Sequence, residues 1–396
     1  MSTETKTSFD VLIVGAGPAG THLAHLVAHQ GARVGIMEKS QVPRDKICGG
    51  GVTRKAIDLL DVDLNPVVHH WIHGAYLSFC DRISVLKNVD PPVGCTVLRR
   101  EFDSFLLDRA RASGAQVLTQ TQFLDANETP GFVDVQTNRG AYRSQLLIGA
   151  DGIASAVRAK VLGKSIVRYV PALEALVPLS QSLQAQFDGR VLFDFGAMRR
   201  GYGWIFPKRD HLNIGVYSPF GGDRLREQLS AFIARHSSSD RHLDTPYLGF
   251  PIPLRNERQK FQTRRVWLLG DAAGLADGLF GEGIYFALKS ATLAARALGE
   301  TGLTANGTRY SELLREELLP ELRASLWLGK ALFAAPAFAY RRLVCNSKVA
   351  DRFAGLISGS VGYRECLRKT LAGAPLWLFS RPKVLPENVT TQPPSP

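Results

Sequence analysis

The sequence predicts an α/β protein (α+β overall): a Rossmann-like first domain, an inserted and mostly antiparallel β-sheet domain, and a helical C-terminal region. Three observations carry that prediction. An apolar run at residues 11–14 passes through Gly15-Ala-Gly-Pro-Ala-Gly20 into a helical segment at 21–30. From about 165 to 260 the chain turns β-rich, with strand-like segments at 191–195, 204–207 and 213–217. Residues 307–372 are then largely helical in character.

Taken in order, the first run reads as a buried parallel strand because it is continuously apolar. Gly15 permits a tight turn, Gly17 lets a pyrophosphate approach the backbone, and Gly20 lets helix and strand pack closely. With Ala19 they are the candidate dinucleotide contacts, beside helix N–H groups that favour phosphate. A second strand at 33–38 ends in Glu38, at about the 20-residue spacing expected of an acid on an adenosine ribose. Residues 41–60 form a glycine-rich loop entering a short helix, and segments around 72–87 alternate as strands. At 100–113 helical spacing puts Phe102, Phe105, Leu106 and Ala110 on one face. Strands at 117–118, 132–137 and 146–150 return to the first sheet, as does 266–269 after the inserted sheet. The expected domains are 9–165 with 261–300, then 166–260, then 301–380, with a Pro-rich, disordered tail at 381–396.

Two further segments repeat the theme of glycine and acid. Gly149-Ala-Asp-Gly152 and Gly270-Asp-Ala-Ala-Gly274 each follow an apolar strand. With the first glycine turn they suggest a flavin adenine dinucleotide (FAD) cradle, using Asp151, Gly152 and Asp271. Asp271 is positioned to accept hydrogen bonds from ribitol hydroxyls. The helix opening at Gly281-Glu282-Gly283-Ile284 would bring Gly283 and Ile284 to the ring, its dipole favouring negative charge there.

Composition narrows the class. The chain has 396 residues, 45% hydrophobic and 21% charged, and no apolar run near the roughly 20 residues of a membrane span. Five cysteines without CxxC spacing argue against a zinc site and for a reducing compartment, so the cytoplasm is expected and no metal. The net charge of +12 suits an anionic lipid or diphosphate partner better than nucleic acid, for which no module is recognisable. The three histidines in His69-His70-Trp71-Ile72-His73 lack acidic or cysteine partners at ligand spacing.

The trio resembles the FAD-dependent hydroxylase and reductase superfamily, with the fold of the aromatic hydroxylases. That family's hxRxxFD pattern fits Val97-Leu98-Arg99-Arg100-Glu101-Phe102-Asp103 and implies that Arg99 meets the cofactor. Pro43-Arg-Asp-Lys46-Ile-Cys48-Gly49-Gly50-Gly51 resembles the PxxKxCGGG loop of geranylgeranyl reductases, and Tyr202-Gly-Trp204-Ile-Phe206-Pro-Lys208 their YxWxFPK substrate motif. The run from Gly281 to Ser290 is similar to them as well. Gly278 departs from the family, which usually has Pro there, and implies a looser loop beside the flavin.

The resemblance implies saturation of C=C bonds in prenyl chains by hydride from reduced FAD, with NADPH or a ferredoxin-like protein as electron donor. The residues make chemical sense of it. An unactivated alkene needs a proton on the carbon next to the one that accepts hydride, in a dry apolar tunnel. Tyr202, Trp204 and Phe206 alternate along a strand and share one face, either as a tunnel wall or as ordinary core. Cys48 is a proton donor, an aid to flavin reduction or an inert thiol, with a nearby water as the other proton source and with Gly49 and Gly50 letting its loop approach the flavin. The expected partner is an isoprenoid or lipid molecule, with peripheral membrane contact through the helical C-terminal region. The rival readings are a flavin monooxygenase and a non-catalytic flavin-binding carrier.

Overall fold

Val11, Leu12 and Ile13 are each 0% exposed, as a strand covered on both faces must be. They belong to β1 (Thr7–Val14), which α1 (Pro18–His29) joins to β2 (Val34–Glu38). The computed structural model describes residues 7–372 apart from 80–81, 86–88, 164–167, 223, 237–245, 255–259, 303–307 and 346. The tail expected at 381–396 lies outside these residues.

A short strand β3 (Gly51–Thr53) runs into α2 (Arg54–Leu60), followed by β4 (Val68–Ile72), β5 (Gly74–Phe79), β6 (Arg82–Val85) and β7 (Gly94–Val97). Helix α3 (Arg99–Ala112) precedes β8 (Gln116–Thr119), β9 (Phe123–Glu128), β10 (Val133–Thr137), β11 (Gly140–Gly149) and α4 (Ala156–Val161). The next stretch holds β12 (Arg168–Val170), β13 (Ala172–Pro178), α5 (Gln181–Phe187), β14 (Arg190–Asp194), β15 (Tyr202–Pro207) and β16 (His211–Tyr217). After α6 (Leu225–His236), β17 (Leu248–Gly249) and β18 (Ile252–Leu254), the chain reaches β19 (Val266–Leu268) and α7 (Ile284–Thr301). Helices α8 (Thr308–Leu313), α9 (Leu319–Ala334), α10 (Pro336–Cys345), α11 (Ser347–Ser358) and α12 (Tyr363–Ala372) complete it.

The first sheet has the order β8-β2-β1-β11-β10-β9, with β19 also pairing β11. Its β8, β2, β1, β11 and β19 pairings are parallel, which brings the C-terminal ends of β1, β11 and β19 side by side. Those ends carry the three glycine-and-acid segments, so the topology collects what the sequence scatters.

The second sheet has the order β17-β13-β16-β15-β14-β5-β6. It differs from expectation in recruiting β5 and β6 from residues 74–85, where β5 lies parallel to β14. Alternation marks a segment as a strand but says nothing about which distant strand it pairs with. The second sheet is therefore not confined to 166–260.

Candidate active site

A cavity of about 700 Å³ is lined by both large sheets, the Cys48 loop, the start of α7 and the C-terminal helices. The glycines at its dinucleotide end divide into two kinds. A Cβ on Gly15, which sits at φ +107°, would lie 2.4 Å from the Ala150 carbonyl oxygen, and one on Gly20 would lie 2.1 Å from that of Gly15. These two hold β1, α1 and β11 together. Gly17 and Gly152 instead line the cavity with open faces: the nearest atom to a Cβ at Gly17 is Arg44 Nη2 at 3.9 Å, and Gly152 has none within 4 Å. A Cβ at Gly283 would meet only Asp271 Oδ1, at 3.4 Å.

Glu38 is buried at the end of β2, where its Oε2 accepts from Ala16 N at 3.2 Å and from Arg44 Nε at 3.0 Å. The first N–H groups of α1 have no intrahelical acceptor. Bare glycine faces, helix N–H groups and a buried carboxylate fit the diphosphate and adenosine ribose of FAD. Ala19 lines the same end, and Asp271, Gly283 and Ile284 line the cavity where the ribitol and ring would lie.

Asp151 lines the cavity and also has a structural task that the sequence did not announce. Its Oδ1 accepts from Ser155 Oγ at 2.6 Å, and its Oδ2 from Ala156 N at 2.7 Å and Val157 N at 3.2 Å. The side chain serves the N-terminus of α4, an ordinary use of an acid at a helix start, while burial pushes its carboxyl upward. Ser155 Oγ in turn accepts from Arg158 N, and Arg158 donates to the carbonyls of Ile153 at 2.6 Å and Ala272 at 2.7 Å. This arginine thus ties the second glycine-and-acid segment to the third. Ser155→Ala is expected to cost about 1 kcal/mol. Thermal denaturation checks it, and an unchanged midpoint would remove the cap from the account.

At the other end Tyr202, Trp204 and Phe206 do share one face, with successive ring centroids 6.2 and 6.3 Å apart. Phe193 adds a fourth ring, 5.8 Å from Tyr202 and 5.9 Å from Phe206. The Tyr202 hydroxyl donates to the Phe280 carbonyl at 2.5 Å, and Trp204 Nε1 to Asn213 Oδ1 at 2.8 Å. Their polar atoms are therefore satisfied within the protein, leaving apolar faces toward the cavity.

The Cys48 loop is seated on this wall. A Cβ on Gly49 would lie 3.1 Å from Trp204 Nε1, and one on Gly50, at φ +65°, would lie 2.2 Å from the Val97 carbonyl oxygen. The bare faces of Gly49 and Gly50 thus pack against protein, and both residues also line the cavity. Cys48 is half-buried and lines the cavity; its N–H donates to Glu174 Oε1 at 3.2 Å and its Sγ accepts from Gly50 N at 3.4 Å. Arg99 is buried and bonds Asp103 through Nε at 2.7 Å and Nη2 at 2.8 Å. Burial disfavours its charge, but Asp103 and then Cys48 outweigh that and hold it above its ordinary value.

Sequence reasoning gave no site role to Lys208, Glu174 or Asn213, which hold this loop and wall together. Lys208 ends the YGWIFPK motif, and that was the available signal; Glu174 carried none. In β4, His69 Nε2 lies 3.0 Å from Glu101 Oε2, and no group of three candidate metal ligands is found among the described residues. In the C-terminal region Phe333 and Tyr340 are buried, whereas Trp327 is 62% exposed. No helix of the described residues is long and apolar enough to cross a membrane.

Residues 8–168 match the FAD binding domain family. The chain is 28% identical to the menaquinone reductase of Mycolicibacterium smegmatis, over 78% of this chain and 81% of that one. It is 28% identical to the geranylgeranyl diphosphate reductase of Rhodobacter capsulatus, over 73% and 74%. A solved geranylgeranyl bacteriochlorophyll reductase-like protein from Thermoplasma acidophilum superposes with a TM-score of 0.72 at 21% identity, covering 92% of this chain and 96% of that one. The chain thus carries an FAD binding domain and is similar over most of its length to geranylgeranyl reductases. It is an FAD-dependent oxidoreductase. Flavin-dependent brominase and monooxygenase structures share the fold, so the fold alone does not choose the reaction.

The departure from the geranylgeranyl reductase pattern at Gly278 implied a looser loop, and the structure shows a tightly held one. Both oxygens of the buried Asp277 carboxylate accept backbone N–H groups, from Leu279 and Phe280 at 2.8 Å each and from Glu282 at 2.5 Å. Gly278 N donates to Ser325 Oγ of α9 at 3.1 Å. Glu282 accepts from Thr53 Oγ1 at 2.6 Å and pairs with Lys55 Nζ at 2.6 Å, which fastens the start of α7 to α2.

Proposed function

We propose that this flavoprotein reduces C=C bonds of a geranylgeranyl-type prenyl chain. The observation that carries the reading is that Cys48 and the Tyr202, Trp204 and Phe206 face line one apolar-walled cavity with the residues suited to FAD. Reduced FAD, when bound, supplies a hydride to one alkene carbon. The aromatic face binds the chain and excludes water, and Cys48 gives the proton to the neighbouring carbon. Arg99, close to Cys48, stabilises the negative charge left on the sulfur. Gly15, Gly17, Ala19, Glu38, Gly152, Asp271, Gly283 and Ile284 hold the cofactor, with Arg99 at the ring end, while Gly20 keeps α1 close to the turn that carries them.

NADPH or a ferredoxin-like protein serves as the electron donor, and the substrate is an isoprenoid or a lipid carrying one. The exposed Trp327, with Lys330 4.9 Å from its ring centroid, and the exposed Phe338 support peripheral contact with a membrane from the cytoplasm. The test is anaerobic: pre-reduced protein is mixed with geranylgeranyl diphosphate or a prenylated lipid, and the products are weighed by mass spectrometry. A gain of two hydrogens per bond is expected, and Cys48→Ala should slow it by about a hundredfold while retaining FAD. No change in any acceptor would sink the reading, and a product gaining oxygen would give the protein to the monooxygenases.

A further inference from the structure

Lys208 is 1% exposed, an unusual place for an ammonium group. Its Nζ donates to the carbonyls of Gly49 at 2.8 Å, Val97 at 2.9 Å and Gly50 at 3.4 Å, so all three protons are used. A Cβ on Gly50 would stand 2.8 Å from that nitrogen, which leaves no room for any residue but glycine between the cation and the loop. Glu174 binds the same loop from β13 through the Cys48 N–H. The loop is therefore held by a buried cation just beyond one strand of the second sheet and a buried carboxylate on another.

The charges have a common focus. Those acting around Cys48 are Arg99 from α3, Lys208 from the end of β15 and Glu174 from β13, with the Cys95 thiol of β7 also facing Lys208. Two are cations, and one of the cations is fixed by three backbone carbonyls.

Resting on the reading of Cys48 as the proton donor, we propose that Lys208 is its positioning residue. It fixes the Cys48–Gly51 backbone through its three hydrogen bonds, and its charge stabilises the sulfur anion formed when the S–H bond breaks and the substrate C–H bond forms. Burial pulls Lys208 itself down to about 8, opposed by Cys48, Glu174 and Cys95. Its charge is thus sustained by the groups it serves.

The test reads the thiol directly and needs no alkene. FAD-loaded protein is treated with iodoacetamide at neutral pH, and Cys48 alkylation is followed by peptide mass spectrometry, since the thiolate is the attacking form. Lys208→Gln, which keeps N–H donors but loses the charge, is expected to slow Cys48 alkylation about tenfold. Lys208→Arg, which keeps the charge, should stay within about threefold of the unsubstituted protein. A purely structural clamp predicts the reverse sign, because a loosened loop exposes the thiol and speeds its alkylation. Faster or unchanged alkylation in Lys208→Gln overturns the proposal, as does equal slowing by both variants. Failure of both to yield folded, FAD-loaded protein assigns Lys208 to the fold and overturns it too. If instead the alkylation rates move as expected while Cys48→Ala reduces alkenes at the normal rate, the electrostatic role stands and the proton-donor reading falls.

Discussion

Gly15→Ala is expected to abolish FAD retention and to destabilise the protein by about 3 kcal/mol or more. Two costs coincide. At φ +107° a side chain strains the backbone, and its Cβ would sit 2.4 Å from the Ala150 oxygen and 2.7 Å from the Ala150 carbon. Backbone atoms cannot rotate away as a flexible side chain can. Relief requires β1 and β11 to part where they pair as Val14 with Gly149. Gly140 supplies the control, because it has a similar φ of +117° at the β10–β11 turn but nothing within 4 Å of its Cβ. Gly140→Ala should cost only the strain, about 1 kcal/mol. Thermal midpoints and the flavin-to-protein absorbance ratio compare the two, and equal losses would refute the backbone contact as the larger cost.

Glycine is also where the amino-acid sequence was most legible. A strand, a tight turn and a close-packed helix each impose a local steric demand, and glycine is the residue that meets it, so the cradle could be read from Gly15, Gly20 and Gly152. The alternation of Tyr202, Trp204 and Phe206 was legible because side chains on a strand repeat every two residues. Pairing is different in kind. β5 lies beside β14, more than a hundred positions away in the chain, and nothing within residues 74–79 names that partner. Lys208 was hidden for a related reason. Its partners are backbone carbonyls, which every residue possesses, so no complementary side chain announces the contact. Asp151 shows the converse, where an acid after a strand and before a helix suits a cofactor and a helix cap equally well. Only the direction of its side chain separates the two.

Gly278→Pro is expected to destabilise the protein by about 3 kcal/mol or more, although it restores the residue the family usually carries. Gly278 N donates to Ser325 Oγ, which is 0% exposed, and proline would remove that donor and leave the hydroxyl without it. Space is also lacking. A Cβ at Gly278 would lie 2.8 Å from Leu326 Cδ1 and 3.1 Å from Leu326 Cα, and the Gly278 carbonyl lies 2.9 Å from where a Cβ on Gly329 would stand. Helix α9 thus crosses the loop at backbone distance, using Ser325 and Gly329 as the small residues that permit it. The departure at Gly278 is half of a close approach whose other half is in α9. Gly278→Ala separates the two contributions, because it keeps the N–H and meets first the movable end of Leu326, so about 1 kcal/mol is expected. Urea denaturation measures both, and limited proteolysis of α9 to α12 reports whether the helices come away. A proline variant as stable as the alanine variant would remove the Ser325 bond from the argument. The consequence reaches the cavity, since Leu356, Ile357 and Tyr363 of the C-terminal helices line it. Loosening α9 should therefore open the wall proposed to bind the prenyl chain while sparing the glycine turn after β1, and flavin retained with weakened binding of geranylgeranyl diphosphate is the expected signature.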